Sequence, residues 1–430
     1  MKETSHIILR LKPAFKHNMF SGPSFSLPSE TQFFKGNVGQ VLISAASPLL
    51  ADDRIAVETK MIPRSKLGIL ARDPGVLAIA PDMPMKLLRP LTKAQIKRFT
   101  ASIESPGKVL SARKHDFFEW GIEATGAGTS KYTGQGITVA VLDSGIDAKH
   151  EDFKGIDIIE NDFTGEGNGD TDGHGTHCAG IIFGRAHEGS RISVAPGVQT
   201  ALIAKVIGKD GASSENVLNA MYWAAERGAT IICMSVGFDF PALALELERN
   251  GLPKQIAFSR ALEAYRANIN LFDKMAAFIK ARAGLGNPTI IVASAGNESE
   301  RQIDSNFEVA VSPPAAAESV ISVGAFMPIY TEGRRRYAVA PFSNTGPNIC
   351  APGFDIVSSK LGGGRHKLSG TSMAAPHVAG IGALWAEKLK TEGMFNGLLL
   401  TSKIIGSATT TDLVQGFDVF DVGAGMVKAP

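Results

Sequence analysis

The chain has few cysteines and no long apolar run, and both shortages exclude classes of protein. Its 430 residues contain three cysteines, Cys178, Cys233 and Cys350. This odd and sparse set argues against a disulfide framework. No run of about 18 consecutive apolar residues occurs, so the sequence predicts no membrane-spanning helix.

Charge shows no marked excess of either sign. The 44 basic and 42 acidic residues leave a formal net charge of +2. This balance gives no sign of binding to nucleic acid or to a membrane, and we expect neither partner. Residues 1–10 lack the apolar core of a signal peptide. Together with the scarce cysteines, this predicts a cytoplasmic location, with an extracellular one left open.

One segment near the carboxyl end concentrates the chemistry of the chain. Residues 370–380 read GTSMAAPHVAG and place Ser372 at the start of an apolar, alanine-rich segment that predicts a buried helix. The amino end of a helix favours a nearby negative charge, because its N–H groups are unpaired. A serine nucleophile needs such a place, since its attack on a carbonyl creates an oxyanion. Taken alone, the pattern also fits a helix N-cap.

Three further blocks precede this segment, each built around one polar residue that can serve in acyl transfer. They are VAVLDSGID around Asp143, GHGTHCAG around His174 and AGNE around Asn297. In their residues and in the order Asp, His, Ser, the blocks resemble the motifs of the subtilisin family of serine proteases.

The resemblance implies a role for each of these four residues. Ser372 is the implied nucleophile and His174 the implied base, since an imidazole takes and returns a proton near neutral pH. Asp143 would hold the imidazole tautomer. Asn297 would donate its side-chain N–H to the oxyanion, together with the backbone N–H of Ser372.

Other residues in these blocks could fill the same roles by residue type alone. By motif position, His177 and His377 are structural. A lone aspartate after a strand, such as Asp143, also fits a turn. Cys178 follows the histidine block, and we expect it to pack beneath His174 rather than to act as a nucleophile.

The alternation of apolar and helical segments predicts an α/β fold, a doubly wound and mainly parallel sheet. Continuous apolar stretches are typical of strands buried on both faces; they lie at 137–142, 201–207, 230–236, 289–294 and 320–326. A helix over 215–227 ends at Gly228. Ligands bind beyond the carboxyl ends of such strands, where Asp143 and Asn297 fall.

The amino-terminal part predicts a small separate α+β unit, residues 1–90. Its strands are predicted at 6–11, 39–44 and 75–80, and its helix at 64–72. The segment DPGVLAIAPD from Asp73 resembles the last strand of the inhibitory propeptide that precedes subtilisin-like catalytic domains. By that resemblance, the tail from Met83 to Leu88 lies in the active-site cleft. An unrelated accessory domain is the alternative.

The rest of the chain divides into a predicted linker, residues 91–116, and a predicted catalytic domain, residues 117–430, with a helical insertion at about 240–286. Within the insertion, apolar residues recur every three to four positions, at Leu262, Tyr265, Ile269, Phe272, Ala276 and Ile279. This stripe predicts a long helix packed on the catalytic core. A helix that binds a partner is the alternative.

Substrate contacts follow from the resemblance alone. Ser235, Val236 and Gly237 resemble the edge strand that pairs with an extended peptide. Ser294, Ala295 and Gly296 resemble the opposite wall of the pocket for P1, the residue whose carbonyl is attacked. The small residues in these walls, and the Leu87-Leu88 end of the tail, favour substrates with an apolar P1 side chain.

This chemistry requires no cofactor. Calcium is the one metal that the family resemblance raises as a candidate. Asp152 stands where the family's calcium site has an aspartate, so it is a weak candidate ligand. Arg185 lies where oxygen ligands would be needed. A run of acids could instead hold a weak calcium or form a solvated loop; it comprises Glu160, Asp162, Glu166, Asp170 and Asp172.

These observations predict a serine endopeptidase that acts on proteins or peptides and is made as a self-processed zymogen. Its own amino-terminal domain would be the intramolecular inhibitor. Two alternatives remain. One is a dedicated processing protease for a single partner protein, with the insertion as its recognition surface. The other is a peptide-binding scaffold whose blocked cleft performs no turnover.

Overall fold

A computed structural model describes residues 3–12, 54–92, 95–96, 119–186, 189–238, 240–282, 288–331 and 333–430. The predicted strand at 39–44 and most of the predicted linker lie outside these residues. In chain order the strands are β1 (Glu3–Lys12), β2 (Arg54–Pro63), β3 (Val76–Pro81), β4 (Pro84–Leu87), β5 (Thr138–Asp143), β6 (Asp157–Asp162), β7 (Thr200–Lys205), β8 (Ala212–Ser213), β9 (Ile231–Met234), β10 (Val236–Phe238), β11 (Ile290–Ser294), β12 (Ile321–Thr331), β13 (Arg334–Val339), β14 (Ile349–Pro352), β15 (Ile356–Ser359) and β16 (Arg365–Leu368).

The helices are, in the same order, α1 (Arg64–Leu70), α2 (Trp120–Thr125), α3 (His174–Phe183), α4 (Ser214–Glu226), α5 (Phe240–Arg249), α6 (Lys254–Arg282), α7 (Thr371–Thr391), α8 (Gly397–Gly406) and α9 (Val419–Val422). None of these described helices combines the length and the apolar character needed to cross a bilayer.

The central sheet has the order β13-β12-β11-β9-β5-β7-β6, with β14 beside β12. Its pairs are parallel except for the antiparallel pair of β12 with β13. Alternate side chains of β5 enter two different cores: Val139 and Val141 pack with α3 and α7, whereas Ala140 and Leu142 pack with α4 and α6. Burial on both faces explains the continuous apolar runs, and the predicted doubly wound α/β fold is confirmed.

The amino-terminal unit is an antiparallel sheet of order β2-β1-β3 with α1 at one end. Ile7 and Leu9 of β1 are fully buried in the same apolar core as Leu271 and Phe272 of α6. The unit therefore packs on the face of the central sheet that carries α4 and α6. Strand β4 follows β3 in the chain, lies outside this small sheet and pairs with β8 and β10.

The long helix α6 lies in the predicted insertion, but the predicted apolar stripe is partly wrong. Leu262 is 52% exposed and Ile269 is half-buried, whereas the small residues Ala257, Ala261 and Ala264 are buried. The buried face continues through Asn268, Leu271, Phe272, Met275, Ala276, Phe278 and Ile279. Small residues face inward because α6 lies close against α5 and against β3 of the amino-terminal unit.

Gly175 sets how closely α3 approaches the loop that follows β5. A β-carbon at this position would lie 2.1 Å from the carbonyl oxygen of Gly145 and 3.2 Å from Cβ of Asp143. We expect Gly175→Ala to push α3 away and to lower the free energy of unfolding by about 1–3 kcal/mol, the usual cost of overpacking. Chemical denaturation followed by circular dichroism measures this change.

Gly406→Ala is the matched control for this substitution. A β-carbon at Gly406 meets no atom within 4 Å, and the residue lies in α8. Alanine is the better helix former, so the free energy of unfolding should stay the same or rise. If Gly175→Ala proved as stable as the wild type, the close approach of α3 would be contradicted.

Candidate active site

Asp143 and His174 meet where β5 ends and α3 begins. Both side chains are buried, and Nδ1 of His174 lies 2.7 Å from Oδ1 of Asp143. Because a carboxylate only accepts hydrogen bonds, this contact assigns the imidazole proton to Nδ1 and leaves Nε2 as an acceptor. Among the described residues, Nε2 of His174 has no hydrogen-bond partner. The free nitrogen is therefore available to take a proton from a neighbouring hydroxyl.

Asp170 holds the loop that presents His174. Its Oδ1 accepts from Ser144 Oγ at 2.9 Å and from Gly173 N at 2.8 Å, and its Oδ2 accepts from Thr176 N at 2.9 Å. Burial opposes ionisation of Asp170, but the bonds from Thr176 and Gly173 outweigh it and hold the pKa of this carboxyl below its ordinary value. Sequence reasoning placed Asp170 in an acidic loop and missed that it ties α3 to the turn after β5.

Burial and the neighbouring carboxylates act in opposite directions on the protonation of His174. Burial lowers the pKa of His174, but the Asp143 carboxylate, with Asp172 and Asp170 farther away, outweighs burial. The net result is a pKa above the ordinary value of an imidazole. The site therefore favours an imidazolium whenever a proton is transferred to this ring.

Ser372 and Asn297 converge on one carbonyl oxygen of the chain itself. Ser372 Oγ donates to the oxygen of Leu88 at 2.8 Å, and Asn297 Nδ2 lies 3.2 Å from the same oxygen and 3.2 Å from that of Arg89. The Asn297 amide is oriented by Thr371, whose N and Oγ1 donate to Oδ1 at 2.8 and 2.9 Å. Thr371 stands inside the GTS motif, yet sequence reasoning gave it no part in the site.

Ser372 is not a helix cap in the structure. The N-cap of α7 is Gly370, which makes no side-chain cap bond, and Ser372 lies in the first turn with its hydroxyl directed to Leu88. The hydroxyl is therefore engaged by the carbonyl rather than by His174.

The tail that carries Leu88 runs as an added strand. Strand β4 pairs antiparallel with β10, so that Leu87 faces Val236 and Lys86 faces Gly237. Leu88 N donates to Ser235 O at 3.3 Å. A β-carbon at Gly237 would lie 2.9 Å from Cδ2 of Leu88, so only glycine leaves room for this buried side chain.

The other predicted wall, Ser294 to Gly296, lies at the carboxyl end of β11 and leads directly to Asn297. Gly296 has a positive φ of 118°, which favours glycine. A β-carbon there would lie 2.2 Å from Nδ2 of Asn344. The turn is therefore built to carry Asn297, and its part as a pocket wall stays a prediction.

Cys178 lies one helical turn after His174 and is fully buried. Its Sγ is 3.8 Å from Nδ1 of His174 and 3.3 Å from the carbonyl oxygen of Ser372. Burial raises the pKa of this thiol well above its ordinary value, with the Asp143 carboxylate acting in the same direction. A buried neutral thiol is a poor nucleophile, which agrees with the packing role expected for it.

His177 and His377 are buried away from this convergence. His177 Nε2 lies 3.1 Å from Ile356 O, and His377 Nδ1 lies 2.8 Å from Met373 O. Burial lowers the pKa of His177 and lowers that of His377 to about 4. Both rings are neutral near pH 7 and bind backbone carbonyls.

The metal candidate Asp152 is held by an arginine. Arg365 Nη2 lies 2.7 Å from Oδ1 of Asp152, its Nε lies 3.2 Å from Oδ2, and Ser359 Oγ donates to Oδ2 at 2.8 Å. The Arg185 guanidinium donates to backbone carbonyls of Pro196 and Val198. A cation needs free oxygens, so Asp152 with these partners does not fit a calcium ligand.

In the described part of the chain, carboxylates of the acidic run accept hydrogen bonds from the backbone of their own loop. Glu160 accepts from Gly169 N at 2.9 Å, and Asp162 accepts from Gly167 N at 2.7 Å. The described residues contain a group of three possible metal ligands at Asp143, His174 and Cys178, and none that unites the acids of this run.

Three comparisons relate the chain to known proteins. A model of the subtilase family, Peptidase S8, matches residues 134–425. Subtilisin-like protease 6 of Trichophyton rubrum is 33% identical over 278 residues, which cover 61% of this chain and 57% of that protein. Subtilisin-like protease 1 of Arthroderma gypseum is 28% identical over 360 residues, which cover 81% of this chain and 60% of that protein.

A solved structure shares the fold. The crystal structure of fervidolysin from Fervidobacterium pennivorans, a keratinolytic enzyme related to subtilisin, matches with a TM-score of 0.57 and 24% identity. The match covers 82% of this chain and 51% of that one. The chain thus spans about half to three fifths of the length of these proteins. None of these matches supports the predicted cytoplasmic location.

The pair of Asp152 with Arg365 yields a stability prediction. Asp152 is 1% exposed, so Arg365→Met would leave its carboxylate buried without a cation. We expect a loss of about 3–5 kcal/mol in the free energy of unfolding, the usual cost of breaking a buried pair from one side. Equilibrium denaturation of variants that carry Ser372→Ala, which removes the candidate nucleophile, measures this loss.

Two variants control this experiment. Lys367→Met, on the same strand, removes an exposed partner of Asp355 at 3.6 Å and should cost under about 1 kcal/mol. The double variant Asp152→Asn with Arg365→Met removes both charges and should recover part of the loss. Equal effects of Arg365→Met and Lys367→Met would refute the buried pair.

Proposed function

The chain belongs to the subtilase family, and from this premise we propose that it is a serine endopeptidase that acts through Ser372, His174, Asp143 and Asn297. The observation that carries the proposal is the position of one peptide carbonyl. The oxygen of Leu88 lies 2.8 Å from Ser372 Oγ and 3.2 Å from Asn297 Nδ2. A nucleophile and an oxyanion donor thus meet at the same peptide bond.

The residues have matching parts in acyl transfer. Ser372 Oγ attacks the carbonyl carbon, and Nε2 of His174 takes the hydroxyl proton. The oxygen then bears negative charge and accepts the hydrogen bond of Asn297. Asp143 keeps the proton on Nδ1 and stabilises the imidazolium. His174 returns its proton to the leaving amine, and water releases the acyl group from Ser372.

One rearrangement must precede the attack. The Ser372 hydroxyl donates to the Leu88 oxygen, whereas the mechanism requires it to donate to His174 Nε2. That nitrogen has no hydrogen-bond partner among the described residues, so it is free to accept the Ser372 proton.

The amino-terminal unit, residues 1–90, is proposed to be an intramolecular inhibitor that is cleaved by its own enzyme. The tail pairs with β10 as an extended peptide would, and the bond at the nucleophile joins Leu88 to Arg89. That geometry favours a propeptide over an unrelated accessory domain. From the same geometry we propose Leu88–Arg89 as the processing bond, which the sequence left open.

Contacts of the insertion support the same proposal. Asn268 of α6 is fully buried, and its Nδ2 donates to the carbonyl oxygen of Pro81 at 3.0 Å. Ser214 Oγ donates to Oδ1 of Asn268 at 3.0 Å. A buried amide needs both partners, so α6 fixes the point at which the chain turns from β3 towards the cleft. The insertion thus serves the core and the amino-terminal unit together.

The blocked scaffold is the second candidate function. The seated tail and the Ser372 hydroxyl bonded to it are what a permanently occupied cleft would require. A pure binder, however, gains nothing from the buried pair of His174 with Asp143. A dedicated processing protease for one partner would use the same chemistry. Cleavage of casein-like proteins at many sites would contradict that dedicated role.

Self-processing tests the proposal directly. We expect purified wild type to lose residues 1–88 and to begin at Arg89, whereas Ser372→Ala stays at full length because no nucleophile remains. Intact mass and amino-terminal sequencing measure both. Asn297→Ala should slow processing about 100- to 1,000-fold, the range measured for such a donor in subtilisin.

Ser319→Ala, in the turn before β12, is the matched control and should process like the wild type. If the wild type stays at full length and cleaves no peptide, the endopeptidase proposal fails and the scaffold replaces it. Processing at a bond other than Leu88–Arg89 would keep the enzyme but refute the register of the tail.

The raised pKa of His174 predicts the acid side of the pH profile. The base must be neutral, and a pKa above the ordinary value keeps it protonated to higher pH. We expect kcat/KM to fall as the pH drops through a midpoint above about 6.5. Asp172→Asn should lower this midpoint, because Asp172 favours the imidazolium. A midpoint below 6.5 in the wild type would contradict the proposed balance of charges.

A further inference from the structure

A fixed carboxylate lies beside the tail just before the bond at Ser372. Glu298 follows Asn297 directly, and its Oε2 accepts from Asn297 N at 2.9 Å and from Asn344 Nδ2 at 2.9 Å. Asn344 is fully buried, and its Oδ1 accepts from Glu298 N at 3.0 Å. These bonds hold the carboxylate in place, with Oε1 at 3.8 Å from Nζ of Lys86.

A second carboxylate lies on the other side of the same bond. Asp172 precedes His174 by two residues, and its Oδ2 lies 3.0 Å from Nη1 of Arg89. Its backbone N–H donates to Oδ1 of Asp170 at 3.0 Å, the carboxylate that also ties down α3. The loop that presents the base therefore presents an acid to the residue after the bond.

In the tail, the apolar residues are buried and the basic residues lie beside the two acids. Met85, Leu87 and Leu88 are buried, whereas Lys86 and Arg89 are the charged residues and each meets one of the two acids. Both acids come from loops that carry catalytic candidates. An extended peptide in the cleft would meet them at the same positions as the tail does.

We propose that Glu298 and Asp172 make the enzyme select basic peptide segments, with Lys or Arg two residues before P1 and Lys or Arg directly after the cleaved bond. This inference rests on the proposed endopeptidase function. The tail itself has this pattern, Lys86-Leu87-Leu88-Arg89, and is therefore an example of the proposed substrate sequence. The substrate class is a cationic polypeptide in which an apolar P1 residue stands between basic ones.

The test measures selectivity with quenched fluorescent peptides of sequence PMKLLRPL, in which Lys or Arg is replaced by Ala or Glu. For self-processed wild type at low salt, we expect kcat/KM to be about two- to five-fold higher for Lys than for Ala before P1, and likewise for Arg after the bond. Glu298→Gln should bring the Lys-to-Ala ratio near one, and Asp172→Asn the Arg-to-Ala ratio. High salt should reduce both ratios.

Glu300→Gln is the matched control, because Glu300 is exposed in the same loop as Glu298. It should leave both ratios as in the wild type. Ratios near one in the wild type, or ratios that no acid substitution alters, would overturn the inference while cleavage itself upholds the endopeptidase.

A second measurement tests the contact of Glu298 with Lys86 in a variant that cleaves no peptide. In full-length Ser372→Ala, amide hydrogen exchange of the tail should rise when Glu298→Gln or Lys86→Ala is added. Adding Glu298→Gln to Lys86→Ala should change the exchange little further, because the ion pair with Glu298 is already lost. Additive effects would overturn the contact of Glu298 with Lys86 even if no peptide were cleaved.

Discussion

The carbonyl oxygen of Leu88 is the point on which the rest of the structure depends. Its contacts with Ser372 and Asn297 require the amino end of α7 and the turn after β11 to lie side by side. Parallel strands supply this arrangement, because their carboxyl ends share one edge of the sheet. Asp143 ends β5 at that edge, and Asp170 ties the start of α3 to the turn after β5. The convergence is thus a consequence of sheet direction.

The tail reaches that oxygen because the amino-terminal unit is anchored elsewhere. Ile7 and Leu9 are buried in the same core as the inner faces of α4 and α6, and Asn268 binds the backbone at Pro81. Only a few residues separate this anchor from Leu88. The position of the peptide bond is therefore fixed by apolar burial at one end and by strand pairing at the other.

Charged side chains around the site make two kinds of contact. Arg365 and Asp152 form a buried pair that joins the β15–β16 hairpin to the loop after β5, where opposite charges satisfy each other. Asp172 and Glu298 are partly exposed and face the bound chain instead. Asp172 also raises the pKa of His174, so the acid that contacts Arg89 of the tail also favours protonation of the buried imidazole.

The sequence by itself determined the parallel sheet and the four polar residues at its edge. Continuous apolar runs require strands buried on both faces, and each motif is local, so no long-range knowledge was needed to find it. Contacts between distant segments were decided only by the tertiary structure. Arg365 lies 213 positions from Asp152, and no local pattern marks the pair. Helix α6 has apolar residues on several sides, so periodicity could not tell that Ala261 is buried while Leu262 is exposed. The register that sets Leu88 at Ser372 likewise follows from packing between units rather than from either segment alone.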